Sequence, residues 1–250
     1  MMLADSRFPG GGHVHSGGLE EAAARGLIRT ESDLPRFLRT RLHTAGALAA
    51  TFAAAAAHAS RRGADLWAEL DAELDARTPS AAQRAASRAQ GRATTRAAQA
   101  IADNATPVDN RTAVAENGRG QQVAWKPGAG GQTGSLRTSL TALLAATPRP
   151  HHAIVLGVLA GDVEDAASAA AYLSVSGPAS ASVRLLGLDP LQVNAIVWEL
   201  APLLHSVAAQ AAATAGENPA DLPAPGSPGL DLLAEEHDRH HREEVRLFAS

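Results

Sequence analysis

Leu34-Pro35-Arg36-Phe37-Leu38-Arg39-Thr40-Arg41-Leu42-His43-Thr44-Ala45-Gly46-Ala47-Leu48-Ala49-Ala50-Thr51-Phe52 is the segment from which the fold class follows. Leu34, Phe37, Leu38, Leu42, Ala45, Leu48 and Phe52 recur at spacings of three and four. That repeat puts one buried stripe on an α-helix. Thr30 with Asp33 offers a capping box ahead of it, and Arg61, Arg62 and Gly63 close it. The same pattern extends in both directions. A short helix is expected from Leu19 to Arg25, ended by Gly26. Leu66, Trp67, Leu70 and Leu74 mark another before Pro79, and Ser80 can cap one running to about Ile101. Helical spacing resumes at Leu136–Ala145, Ala153–Leu159 and Val163–Val175. Asp189-Pro190 then opens a strong helix that Pro202 should kink. A charged helix over Leu230–Phe248 ends the chain. With no convincing period-two segment, the expected fold is all-α, about nine helices in a compact bundle-like array.

Composition narrows the chemistry. The 250 residues contain no Cys, which removes disulfides, thiolate metal sites and Cys nucleophiles. Ala supplies 57 residues, whereas Leu, Ile, Val and Phe together supply 50, so helices lined with Ala and packed closely are expected. At 3 % aromatic and a net charge of −4, nucleic-acid stacking is not expected. The apolar run Ala45–Ala57 is too short to span a bilayer, and Met1–Leu19 lacks the apolar core of a secretion signal. The expected location is the cytoplasm, without a membrane partner. Residues 103–135, rich in Asn, Gly, Thr and Gln, read as a long flexible loop. The four prolines between Glu217 and Pro228 form a linker. The domain reading is therefore a helical body over 1–226 and a tail over 227–250.

Few residue constellations suggest catalysis. Gly128–Ser135 lacks the Lys-Ser or Lys-Thr that a phosphate loop requires. His15, Ser16 and Glu20 invite a hydrolase reading, but no strand-turn-helix elbow presents the serine, which more simply caps the first helix. Arg84, Arg88, Arg92 and Arg96 form a basic stripe, either a solvated face or a partner-binding edge. His237, His240 and His241 stand at i, i+3 and i+4, a spacing that can hold Ni²⁺ or Zn²⁺. It also suits a solvated tail helix.

The opening Leu3-Ala4-Asp5-Ser6-Arg7-Phe8-Pro9-Gly10-Gly11-Gly12-His13-Val14-His15-Ser16-Gly17-Gly18-Leu19-Glu20 resembles the start of the UreF family of urease accessory proteins. Further echoes follow in order: Arg88-Ala89-Gln90-Gly91-Arg92, Ser182-Val183-Arg184-Leu185 with Gly187-Leu188, Ser227-Pro228, and Arg246-Leu247-Phe248-Ala249-Ser250. The chain departs from the family pattern at Gly187-Leu188-Asp189-Pro190, at Pro178 and in a tail three or four residues longer.

The resemblance implies an all-α, usually dimeric cytoplasmic adaptor with no turnover and no intrinsic cofactor. Such proteins bridge UreD (UreH in some lineages) and the GTPase UreG on apo-urease, where nickel is inserted and handled transiently. It further implies that Arg246, Leu247 and Phe248 anchor the tail on UreD. His15, Ser16, Glu20 and Arg184 then shape a face near the GTPase or the dimer partner. The alternative is an independent nickel metallochaperone using His237, His240 and His241.

Overall fold

The computed structural model describes residues 16–104, 115–116, 122–123 and 129–248, with side chains described for 16–104 and 135–241. The fold is all-α. Its helices are α1 (Leu19–Ala24), α2 (Leu34–Arg41), α3 (Ala47–Arg62), α4 (Trp67–Ala76), α5 (Ala81–Asn104), α6 (Ala129–Ala146), α7 (His152–Ala160), α8 (Val163–Leu186), α9 (Pro190–Glu199), α10 (Ala201–Ala213) and α11 (Pro228–Phe248). The nine helices read from sequence become eleven because two of them are interrupted. A π-helical turn, Leu42–Gly46, divides the long first helix into α2 and α3. The other break precedes Pro202, which has no N–H and whose ring crowds the carbonyl four residues back. There α9 and α10 meet at 47°.

The stripe behaves as its spacing requires. Leu34, Leu38, Leu42 and Phe52 are fully buried and Leu48 nearly so, while Phe37 and Ala45 are half-buried. From Ala50 to Ala57 the helix is buried on all sides, and α3 forms the axis of the molecule against α7, α8 and α10. Small side chains allow this. A Cβ placed on Gly157 of α7 would overlap the Ala53 carbonyl oxygen of α3 and crowd the Ala56 methyl. No larger residue fits at that crossing.

Two sequence expectations change. The loop read over 103–135 is shorter, because α5 runs to Asn104 and α6 begins at Ala129. Between them β1 (Ala115–Glu116) pairs antiparallel with β2 (Gln122–Val123). Ala129–Ser135 has no large apolar residue, so the stripe that reveals a helix starts only at Leu136. The second change is at Pro178, where α8 continues through the proline to Leu186. Pro178 cannot donate to the Ser174 carbonyl. Arg41 supplies the missing donor, its Nε lying 2.8 Å from that oxygen.

The caps follow the sequence. Asp189 accepts from Leu191 N–H, and Ser80 accepts from Gln83 N–H at 3.1 Å. Among the described residues, no single helix is long and apolar enough to cross a membrane; the bent α9–α10 pair meets that test only jointly.

Candidate partner-binding cleft

Chain entry into α1 is set by backbone chemistry. Gly17 and Gly18 have φ of +63° and +91°, values that L side chains rarely adopt. The Arg41 guanidinium donates to the Gly17 carbonyl at 2.7 Å. Ser16 O accepts from Leu19 N–H at 3.2 Å, and Ser16 Oγ accepts from Glu20 N–H at 3.3 Å. Ser16 is thus a helix-capping residue, the simpler of its two sequence readings. His15 lies outside the described residues.

These residues form one wall of a cleft of about 850 Å³. The body supplies Arg41, Leu48, Leu156, Tyr172 and Leu173, and α11 supplies Leu230, Ala234, His237, Asp238 and His241. Ser16, Glu20, Arg184, His237 and His241, distant in sequence, therefore share one concavity. His240 turns instead toward α1. The side chains of Arg246, Leu247 and Phe248 lie outside the described residues.

An ionic latch holds α11 across this cleft. Glu21 on α1 is 3 % exposed. It receives Arg25 Nε at 2.8 Å and faces His240 Nδ1 at 3.2 Å. Arg25 also pairs with Glu236 of α11. Burial pushes the Glu21 carboxyl up, but its bonds to Arg25 and His240 outweigh that and hold it below the ordinary glutamate value. Glu236 is held down chiefly by Arg25. His237 approaches Glu20 at 3.9 Å. Further along, Glu235 of α11 accepts from Ser80 Oγ at 2.7 Å and from Ala82 N–H at 3.0 Å. That places a carboxylate at the N-terminus of the long α5, where the helix dipole favours it.

The His cluster is thereby divided. Among the described residues, the metal-compatible groupings within 4.8 Å are Glu21–Glu236–His240 and Asp71–Asp75–His151. Only His240 of the three tail histidines takes part, and Arg25 already neutralises its two carboxylate neighbours.

The second grouping was not singled out from sequence. His151 is fully buried, with Nε2 2.9 Å from Asp75 and Nδ1 2.9 Å from Ser87 Oγ. Its N–H donates to Asp71 at 3.1 Å. Arg88 crosses to both acids, at 2.9 and 2.6 Å. Burial pushes the His151 imidazole below its ordinary value despite the Asp75 bond. The Asp75 carboxyl is raised by burial but lowered further by His151 and Arg88, ending below the usual aspartate value. The available signal was Asp71/Asp75 at i, i+4 facing Arg84/Arg88 at the same spacing. Within the basic stripe, Arg84 bonds the Thr78 and Pro79 carbonyls and Arg88 enters this network, while Arg92 and Arg96 are exposed. Half of the stripe therefore joins α5 to the body.

Comparison with known proteins identifies the family. The UreF family model matches residues 28–201, beyond the opening motif. Relatives bearing the name urease accessory protein UreF include the following three. That of Mycobacterium sp. strain JLS is 40 % identical over 256 residues, covering 100 % of this chain and 97 % of its own. That of Mycolicibacterium vanbaalenii is 38 % identical over 267 residues, with 100 % and 97 % covered. That of Mycobacterium tuberculosis strain H37Rv is 37 % identical over 251 residues, with 97 % and 94 % covered. The family match over most of the chain and nearly full-length similarity at this level mean that the chain belongs to the UreF family of urease accessory proteins.

Proposed function

We propose that this chain is a non-catalytic cytoplasmic adaptor that links UreD (UreH) and the GTPase UreG on apo-urease during nickel insertion, tuning GTP hydrolysis without turnover of its own. The observation that carries this reading is the apolar surface left on α9. In a chain poor in large apolar residues, Leu191 and Trp198 are 77 % and 81 % exposed, one above the other at i, i+7. Surface of that kind marks association. We assign it to a second copy of the chain. Small Ala195 between two large residues is self-complementary about a two-fold axis, where Leu191 of one copy meets Trp198 of the other.

The tail is the segment for UreD, anchored there by Arg246, Leu247 and Phe248. Its hold on the body combines the Arg25–Glu236, Glu21–His240 and Ser80–Glu235 contacts with the buried Leu230, so a partner that takes it up must replace both kinds of contact. The rim carrying Ser16, Glu20 and Arg184, with His15 next to it in sequence, faces the GTPase or the dimer partner. Deletion of Gly229–Ser250 is expected to abolish co-purification with UreD while circular dichroism retains the helical core. Undiminished co-purification would remove the tail from the interface.

The rival reading, a nickel carrier, is favoured only by His240 beside Glu21 and Glu236. Nickel titration of the wild type and of a His237→Ala/His240→Ala/His241→Ala variant separates the two. Tight one-to-one binding lost in the variant would establish the carrier.

A further inference from the structure

Three irregularities of the backbone meet at Arg41. It is the last residue of α2 and leads into the π-helical turn Leu42–Gly46. That turn lies so close to α8 that a Cβ on Gly46 would overlap Ser174 Oγ. Ser174 is also the residue whose carbonyl Pro178 leaves without a helical donor. The third irregularity is the entry to α1, where Gly17 and Gly18 both hold positive φ. One guanidinium joins the three. Arg41 Nε donates to the Ser174 carbonyl at 2.8 Å, and Nη1 donates to the Gly17 carbonyl at 2.7 Å. The group covers Gly17, where an added Cβ would come within 2.8 Å of Cζ. No carboxylate pairs with Arg41 among the described residues, and burial pushes its guanidinium down to about 10. A desolvated cation facing two neutral oxygens is costly unless both bonds hold.

The same joint reaches the tail. Gly18, beside the clamped Gly17, faces α11: a Cβ there would touch Leu230 at 3.6 Å and Leu233 at 3.8 Å. Leu230 is buried. Within the next two turns of chain, Glu21 and Arg25 engage His240 and Glu236. We propose that Arg41 is a positioning residue for the tail: by bridging the proline gap in α8 to Gly17, it fixes the face of α1 on which α11 is seated. How readily the tail is released is then set from α8, through one side chain. The consequence for UreD rests on the reading of the tail as the UreD segment; the clamp itself is a property of the isolated chain.

Hydrogen–deuterium exchange on the full chain tests the clamp without any partner. Arg41→Met keeps the aliphatic stem and removes both charged bonds, each worth about ten-fold or more in a local opening equilibrium. Amide exchange over residues 228–240 is expected to accelerate about ten-fold, together with α8 around Ser174, while α3 and α7 keep wild-type protection. Because this variant leaves the Ser174 carbonyl unpaired, it is also made together with Pro178→Ala, which returns an N–H to that oxygen. The double variant is expected to recover protection in α8 and to retain fast exchange in α11, and it carries the test where the single variant does not fold. Unchanged exchange in α11 of the folded variants would overturn the proposal, as would equal acceleration of every helix. Recovery of α11 together with α8 in the double variant would also overturn it, showing that the tail responds to α8 without the Gly17 clamp. A tail that fails to capture UreD is a separate result and leaves these outcomes as they stand.

Discussion

At the scale of single residues, the molecule depends on positions where nothing larger, or nothing else, fits. Gly157 is one, since any side chain there meets the α3 backbone rather than a yielding side chain. Gly157→Ala is expected to cost about 1–3 kcal/mol through overpacking, read as a fall in melting temperature of several degrees. An unchanged melt would mean that α7 can slide on α3. His151 is the other. Its imidazole titrates below the ordinary histidine value in the folded state, so the unfolded chain binds more protons as pH falls below 6.5. The stability this group contributes is complete above that pH and declines as acid is added. Asp75, held below 3.8, loses its contribution only at lower pH. Thermal melts from pH 7.5 to 5 should therefore fall more steeply for the wild type than for His151→Gln. The variant should itself be about 1–3 kcal/mol less stable at neutral pH, with polar atoms left unpaired. Parallel pH profiles would assign the acid sensitivity to other groups.

Among elements, α11 is attached by carboxylates and cations as well as by the buried Leu230 and the packed Leu233. Arg25→Ala removes the bridge from Glu21 to Glu236 and leaves a buried Glu21 facing only His240. Amide exchange in α11 is expected to accelerate about ten-fold, with α3, α7 and α8 unchanged. Uniform acceleration would show a global loss of stability, and no change would show that the tail is held without Arg25, through Glu235 at the α5 N-terminus and the buried Leu230. The helices themselves were legible in sequence wherever a Leu or Phe stripe existed: Leu34 to Phe52 and Asp189 to Val207 were both read as helix. What escaped the reading lacked such a stripe. Ala129–Ser135 has only small and polar residues, and the continuation of α8 past Pro178 depends on Arg41, 137 positions earlier in the chain. The cleft was half legible. A resemblance of motif singled out Ser16, Glu20 and Arg184, but pairing α1 with α11 needed the fold, since Glu21 and His240 are 219 positions apart.

For the whole molecule, the balance between a small-residue core and a few exposed large residues determines how it associates. Alanine packing brings helix backbones close but buries little area per residue, so a domain built this way gains from covering its remaining apolar surface with another chain. Of the exposed large apolar residues among those described, the two most exposed, Leu191 and Trp198, lie together on α9. Leu191 and Trp198 project outward while Val193 holds the helix to the body. The α8–α9 turn beneath it is fixed by Asp189 N–H donating to Glu31 at 3.0 Å. A charge on this face adds no strain within the monomer, because the side chain already stands in water. Trp198→Arg should therefore leave the melting temperature of the dissociated chain nearly unchanged, within about 0.5 kcal/mol. Across a two-fold contact it buries two unpaired guanidinium groups, a cost of several kcal/mol per ion. Sedimentation equilibrium is expected to show the wild type as a dimer and Trp198→Arg as a monomer at the same concentration. Glu21, Glu235 and the tail latch are untouched by this change, so UreD should still co-purify with the monomeric variant. A variant that stays dimeric would place the two-fold contact elsewhere. A monomer that also loses UreD would make α9, rather than the tail, the surface shared by both partners.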